Sequence, residues 1–254
     1  MKRATQILFA MVVLSIFSSV SANINNNGYI EAEGVIYFEE GMSPNQMRRM
    51  SVLDAYRYLA EQTDTLYISS ESTVRNARDL DDVVNEKVDA ALRGAEVISV
   101  IRESDGSFHA TVRLPIYGGS RSLAAAVLKK DIRTEDFSKP RFVNIRTELQ
   151  YTGLVVDCRG LNLLPAITPK IKSVGGVEVY AYKNLGYQNA VDKGIVEYSS
   201  SPDSSRAGNL PLVVKAVKIS DSCDVVVSDE DADRILAANQ SANILGKCAV
   251  VLVR

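Results

Sequence analysis

Residues 95–118, AEVISVIRESDGSFHATVRLPIYG, hold two runs of strand-forming residues on either side of Ser104-Asp105-Gly106. An Asp-Gly pair between apolar runs signals a hairpin, because glycine accepts the left-handed backbone that a tight turn needs. In the second run Phe108, Ala110, Val112 and Leu114 share one face, while His109, Thr111 and Arg113 share the other. That two-residue period predicts an antiparallel sheet with one packed face and one wet or lightly covered face.

The residues upstream supply the packing layer. Tyr29 to Phe38 alternates, with Ile30, Ala32, Gly34, Ile36 and Phe38 on one side and Glu31 and Glu33 on the other. Ser43-Pro44-Asn45-Gln46 then reads as a capping box with proline at the first helical position. Val52, Leu53, Tyr56, Leu59 and Ala60 form the expected stripe of a helix reaching about Gln62. Thr65 to Ser72 reads as a short strand. A second helix is expected from Asp79, where acids suit the helix N-terminus. Leu80, Val84, Val88, Ala91 and Leu92 lie along it, and Gly94 ends it. The order is β-α-β-α-β-β, a helix-on-sheet layer.

The second half is richer in strands. TGLVVDC, VEVYAY, GIVEY, LVVKAVKI, DVVVS and KCAVVLV are the expected ones, with a helix capped by Ser228 before the last. YGGSRSLAAAVLKKD holds at most one short helix, and EDFSKPRFVN reads as loop. The chain is therefore expected to be α+β. Its expected parts are a signal segment 1–22, a polar leader 23–28, a first domain 29–117, a connecting region 118–148 and a β-rich domain 149–254.

Lys2, Arg3, the apolar run Ile7 to Phe17 and the small residues Val20-Ser21-Ala22 have the layout of a cleaved secretory signal. A run of eleven residues falls short of the ~20 that a spanning helix needs. The segment contains no cysteine to carry a lipid, so an exported, periplasmic or envelope-associated protein without lipid anchor is expected. Without Lys2 and Arg3, 27 basic residues face 31 acidic ones, a net charge near −4. That balance argues against a nucleic-acid partner. Beyond the signal, no apolar run is long enough to span a bilayer.

Few residues are equipped for chemistry. YTGLVVDCRGL, residues 151–161, looks like a strand end bearing a nucleophile, but a reactive thiol needs a basic partner. The single histidine, His109, is 49 residues from Cys158, and Asp157 beside the thiol would raise its pKa. Cys158 is read as a small buried hydrophobe or a disulfide partner. Cys223 and Cys248 flank one helix, so neighbouring strands would bring them into disulfide range. Other pairings, or three free thiols, stay open. In the acidic run Asp229, Glu230, Asp231, Asp233, acids stand at positions 1, 3 and 5 of a calcium loop, but Arg234 replaces the turn glycine and Gln240 the bidentate glutamate. First-turn acids at a helix N-terminus explain the run. No Cys/His cluster suits zinc, and no phosphate loop or dinucleotide fingerprint is present. No cofactor is expected.

The runs MRRMSVLDAYRYLAEQTDTLYISSES, VVNEKVDAALRGAEVISVI and DGSFHATVRLPI resemble the LPP-twenty lipoprotein family and the N-terminal domain of the flagellar accessory protein T. The resemblance covers residues 30–117. It implies an envelope-associated protein that is not an enzyme. The second half looks like a companion domain of exported bacterial proteins. The expected function is non-catalytic: a structural or adaptor role toward envelope or surface-assembly proteins, with His109 and Arg113 as a small recognition surface. A cell-wall glycan-binding module, stacking sugars on Tyr180, Tyr182, Tyr187 and Tyr198, is the alternative. A hydrolase using carboxylates such as Asp157 is the weakest reading.

Overall fold

The structure is a computed structural model that describes residues 28–131, 133–141 and 150–254. The expected signal segment and nearly all of the polar leader lie outside these residues. The first half contains β1 (Tyr29–Ile36), α1 (Pro44–Thr65), β2 (Tyr67–Ser69), β3 (Ser72–Thr73), α2 (Val74–Leu80), α3 (Asp82–Arg93), β4 (Glu96–Arg102), β5 (Phe108–Pro115) and α4 (Leu123–Val127). The second half contains β6 (Leu154–Asp157), β7 (Ile171–Ser173), β8 (Glu178–Tyr180), α5 (Tyr187–Lys193), β9 (Glu197–Ser199), β10 (Leu212–Ser220), β11 (Asp224–Val227), α6 (Asp229–Ala242) and β12 (Val250–Val253). The α+β class expected from the sequence is the class observed.

The hairpin β4–β5 forms as expected, with Gly106 at φ 87° in its turn. Together with β1 it makes an antiparallel sheet of order β1-β5-β4. Helix α1 covers one face. Its capping box is present: the Gln46 amide donates to Ser43 Oγ, and the Ser43 amide donates to Gln46 Oε1 at 3.0 Å.

The buried stripe of α1 is Met47, Ser51, Ala55, Leu59 and Thr63, whereas Leu53, expected inside, is 68% exposed. Close approach is the reason. A Cβ on Gly34 of β1 would lie 2.2 Å from the Ser51 carbonyl oxygen and the Ala55 amide. The helix therefore rests directly on the strand, and only small residues fit at the contact. The hydroxyls this buries are satisfied within the helix, Thr63 donating to the Leu59 carbonyl at 2.8 Å and Ser51 to that of Arg48 at 2.9 Å.

The expected helix from Asp79 is two helices. Thr73 caps α2, and the Asp81 carboxylate accepts from the Val83 and Val84 amides to start α3 afresh. Arg78 ties the break together through Asp64, Asn85 and Asp89. Leu80, at that break, is exposed rather than part of the buried stripe.

Strand β2 does not join the first sheet. It pairs with β3 as a ribbon, and its main chain reaches the second half: the Ile167 amide donates to the Tyr67 carbonyl at 2.9 Å, and that of Thr168 to Ile68 at 2.7 Å. The second half is a seven-stranded mixed sheet of order β8-β7-β11-β10-β6-β12-β9. Central strands β6 and β12 run parallel, and their Val/Leu-rich runs are buried on both faces. Strand β7 and helix α5 were not expected from the sequence. The buried apolar cluster is continuous from Ile30 in β1 to Leu252 in β12.

Candidate interaction surface

The alternation of β5 places His109, Thr111 and Arg113 on the sheet face opposite α1. His109 Nδ1 lies 2.7 Å from the Glu33 carboxylate of β1. Arg113 donates to Glu96 of β4 at 2.8 and 3.1 Å, and its guanidinium sits 4.9 Å above the Tyr29 ring. The two expected recognition residues thus share a face, each tied to an acid on a neighbouring strand, with Thr111 between them. Surface pairs of this kind contribute about 0–1 kcal/mol each. They make a polar strip, not a catalytic constellation.

Beside that strip is a feature the sequence reading missed. Strand β4 is an edge strand, and Val97, Ile98 and Ile101 on it are 41, 44 and 53% exposed. A signal was present in the sequence: β5 alternates strictly, while EVISVIR has apolar residues at both parities. A bulge between Val97 and Ser99 shifts the register against β5. Its consequence is geometric. Glu96 stands opposite Arg113 on the open face, whereas Arg102 stands opposite Phe108 on the helix-covered face. In an antiparallel pair of two β4 strands centred on Ser99, Glu96 and Arg102 would therefore stand on opposite faces and not pair.

The remaining sequence candidates have structural roles. The Cys158 amide bonds the Val253 carbonyl, and burial with the Asp157 charge pushes its thiol up to about 12. Asp157 is held at about 2, chiefly by hydrogen bonds from Arg159. Burial also pushes Cys223 up to about 12. Cys223 and Cys248 lie just before strands β11 and β12, which stand three places apart in the order β11-β10-β6-β12 and run in opposite directions. At ~4.8 Å per strand that is roughly 14 Å, beyond the ~6.8 Å Cα limit of a disulfide. The structure holds all three cysteines as separate buried thiols. The expected consequence is measurable with a chromogenic thiol reagent at pH 8: little reaction while native, and three equivalents after denaturation without reductant. One equivalent under denaturing conditions would reveal a disulfide and overturn this placement.

The acids of α6 also serve the fold. Hydrogen bonds from Ser173 and from the Gly175 amide hold Asp229 below the usual carboxylate range, and buried Asp233 accepts from the Arg141 amide at 2.9 Å. Among the described residues no group of three or more His, Cys, Asp or Glu side chains is placed to hold a metal ion. The four tyrosines do not form an exposed row. Tyr180 and Tyr198 are buried, donating to the carbonyls of Ile195 and Ala166; Tyr182 and Tyr187 donate to those of Lys129 and Ala125.

Residues 153–254 match the family model described as Treponema pallidum Tp0624, second domain. The matched span holds the whole seven-stranded sheet, β6 to β12. The second half is therefore similar to a domain of a bacterial protein, and residues 30–117 lie outside the match. No curated protein matches the chain. Among the described residues no helix is long and apolar enough to cross a membrane.

Proposed function

We propose that this chain is a non-catalytic, exported bacterial envelope protein acting as an adaptor, and that it docks an extended segment of a partner protein along the free edge of β4. One observation carries the reading: a seven-residue edge strand exposing Val97, Ile98 and Ile101. Main-chain groups of such an edge pair with an added strand, and the apolar side chains select what is added. The bulge removes the Glu96–Arg102 pairing that would favour a second copy of β4, which favours a different chain as the occupant. Support for the compartment comes from the signal-like layout of residues 1–22 and from the match of residues 153–254 to a domain of a bacterial protein. Cys158 and Asp157 support a non-catalytic reading, since one thiol is held protonated and the other group is locked to Arg159. The tethered tyrosines favour an adaptor over a sugar-stacking module.

Photocrosslinking in cells tests the proposal. A benzophenone side chain at Ile101 should give one discrete protein adduct, and the same probe at exposed Leu53 of α1 should not. The adduct should be lost in an Ile98→Lys variant. With the captured partner purified, amide exchange across residues 96–102 should slow. Equal adducts from both sites, or unchanged exchange in β4, would overturn the docking mode.

A further inference from the structure

On the far side of the Arg113–Glu96 pair a groove of about 850 Å³ opens between α3, the loop 118–122, α4 and α5. Four cations line it, Lys87, Arg113, Arg121 and Lys130, against one acid, Glu96. Glu96 is committed to Arg113 at 2.8 Å. Among the described residues no carboxylate pairs with Lys87, Arg121 or Lys130. In a chain with more acids than bases, this is a local reversal of sign.

The loop that closes the groove adds donors. Gly118 and Gly119 have φ of 107° and 110°, and no atom lies within 4 Å of where a Cβ would stand on either. The Gly118 amide is used, donating to the Val191 carbonyl at 2.9 Å. The amides of Gly119, Ser120 and Arg121 donate to no other described residue. Ser120 and Arg121 line the groove, and successive unused main-chain amides in a glycine turn can serve a bound anion.

The walls narrow the ligand class. Tyr29 lies under the Arg113 guanidinium, and Tyr187 lies 5.7 Å under the Lys130 ammonium. These rings hold cations in place and are not open platforms for sugar stacking. Between the cations the lining is small and apolar: Ala90 and Ala91 on one wall, Ala125 and Ala126 on the other. The volume lies in the upper part of the ~300–1,000 Å³ typical of ligand pockets and is more than a single carboxylate fills.

We propose that this groove binds an acidic peptide segment, with carboxylates on Lys87, Arg121 and Lys130 and small side chains against the alanines. The groove meets β4 only at Glu96, already paired with Arg113, so the proposal is tested independently of docking along the β4 edge. The test is fluorescence anisotropy of a labelled hexapeptide of alternating Glu and Ala, with a Gln-Ala hexapeptide as neutral control. The acidic peptide should bind about tenfold more tightly at low salt, with the difference shrinking toward 0.5 M salt. Arg121→Glu with Lys130→Glu should abolish that preference, while Lys218→Glu, an exposed charge reversal on β10, should leave it unchanged. The exposed sites make folding of both variants readily verified by circular dichroism. Equal binding of the two peptides, or an Arg121→Glu/Lys130→Glu variant that binds like the parent, would overturn the proposal. Preferential displacement of the peptide by inorganic phosphate or by an acidic glycan fragment would also overturn it, by assigning the groove to another anion.

Discussion

Replacing Gly34 by alanine is expected to destabilise the fold by about 4 kcal/mol. Overpacking ordinarily costs ~1–3 kcal/mol because side chains can shift. Here the new Cβ would meet main-chain atoms of α1, the Ser51 carbonyl and the Ala55 amide, both at 2.2 Å. Relief requires the helix to move off the sheet, which opens the contacts of Ala55 and Leu59 with the core. Loss of this size lies in the exceptional tail for single substitutions. Equilibrium urea unfolding of Gly34→Ala against the parent chain measures it. A loss under about 1 kcal/mol would show that α1 does not rest on β1 at this distance.

The second large effect concerns the link between the halves. Asp224 is fully buried at the start of β11 and accepts from Ser70 Oγ at 3.0 Å, the Lys170 amide at 3.0 Å and Lys172 Nζ at 2.7 Å. Ser70 comes from the β2–β3 ribbon, so one carboxylate gathers both halves. Asp224→Ala strands the Lys172 ammonium. Breaking a buried pair costs ~3–5 kcal/mol, and the lower figure, about 3 kcal/mol, is expected because Lys172 keeps some contact with water. The hydrogen bond to Asp224 raises the Lys172 pKa. A raised folded-state value means the contribution is complete below the unfolded lysine value of ~10.4 and is lost as pH climbs through the folded value. The stability gap between parent and Asp224→Ala should therefore be constant from pH 7 to 10 and narrow above that. A gap unchanged at pH 11.5 would mean that the packing of Asp224, not its charge, is responsible.

These predictions fall where the sequence was least legible. The alternation of β5, the capping box at Ser43, the Asp105-Gly106 turn and the Ser228 cap are each written within a few residues, because hydrogen bonds over three or four positions decide them. They were sufficient to specify a hairpin, a covering helix, the final helix-strand unit and the α+β class. In the expected stripe of α1 Leu59 is buried and Val52 and Tyr56 pack against the core, but Leu53 was misplaced because Gly34, 17 residues before Ser51, decides which side chains fit beneath the helix. The Asp79 helix was read as one piece because Asp81 can serve equally as a first-turn acid or as a cap, and the bonds of Arg78 select the cap.

The candidate sites divide in the same way. His109 and Arg113 were legible because a strict two-residue period puts them on one face whatever the partner strands are. The structure keeps Cys223 and Cys248 apart because strand order in a sheet is set by crossovers, which insert β10 and β6 between segments close in sequence. Exposure of β4 needed knowledge that no described strand lies beyond it, and the basic groove needed Tyr187 brought beside Ala125 of α4 from 62 residues away. Local periodicity and capping, being short-range, were determined by the sequence as read. The sheet order, the edge left open and the sign of the groove were decided only by the tertiary structure, because each depends on which distant segments become neighbours.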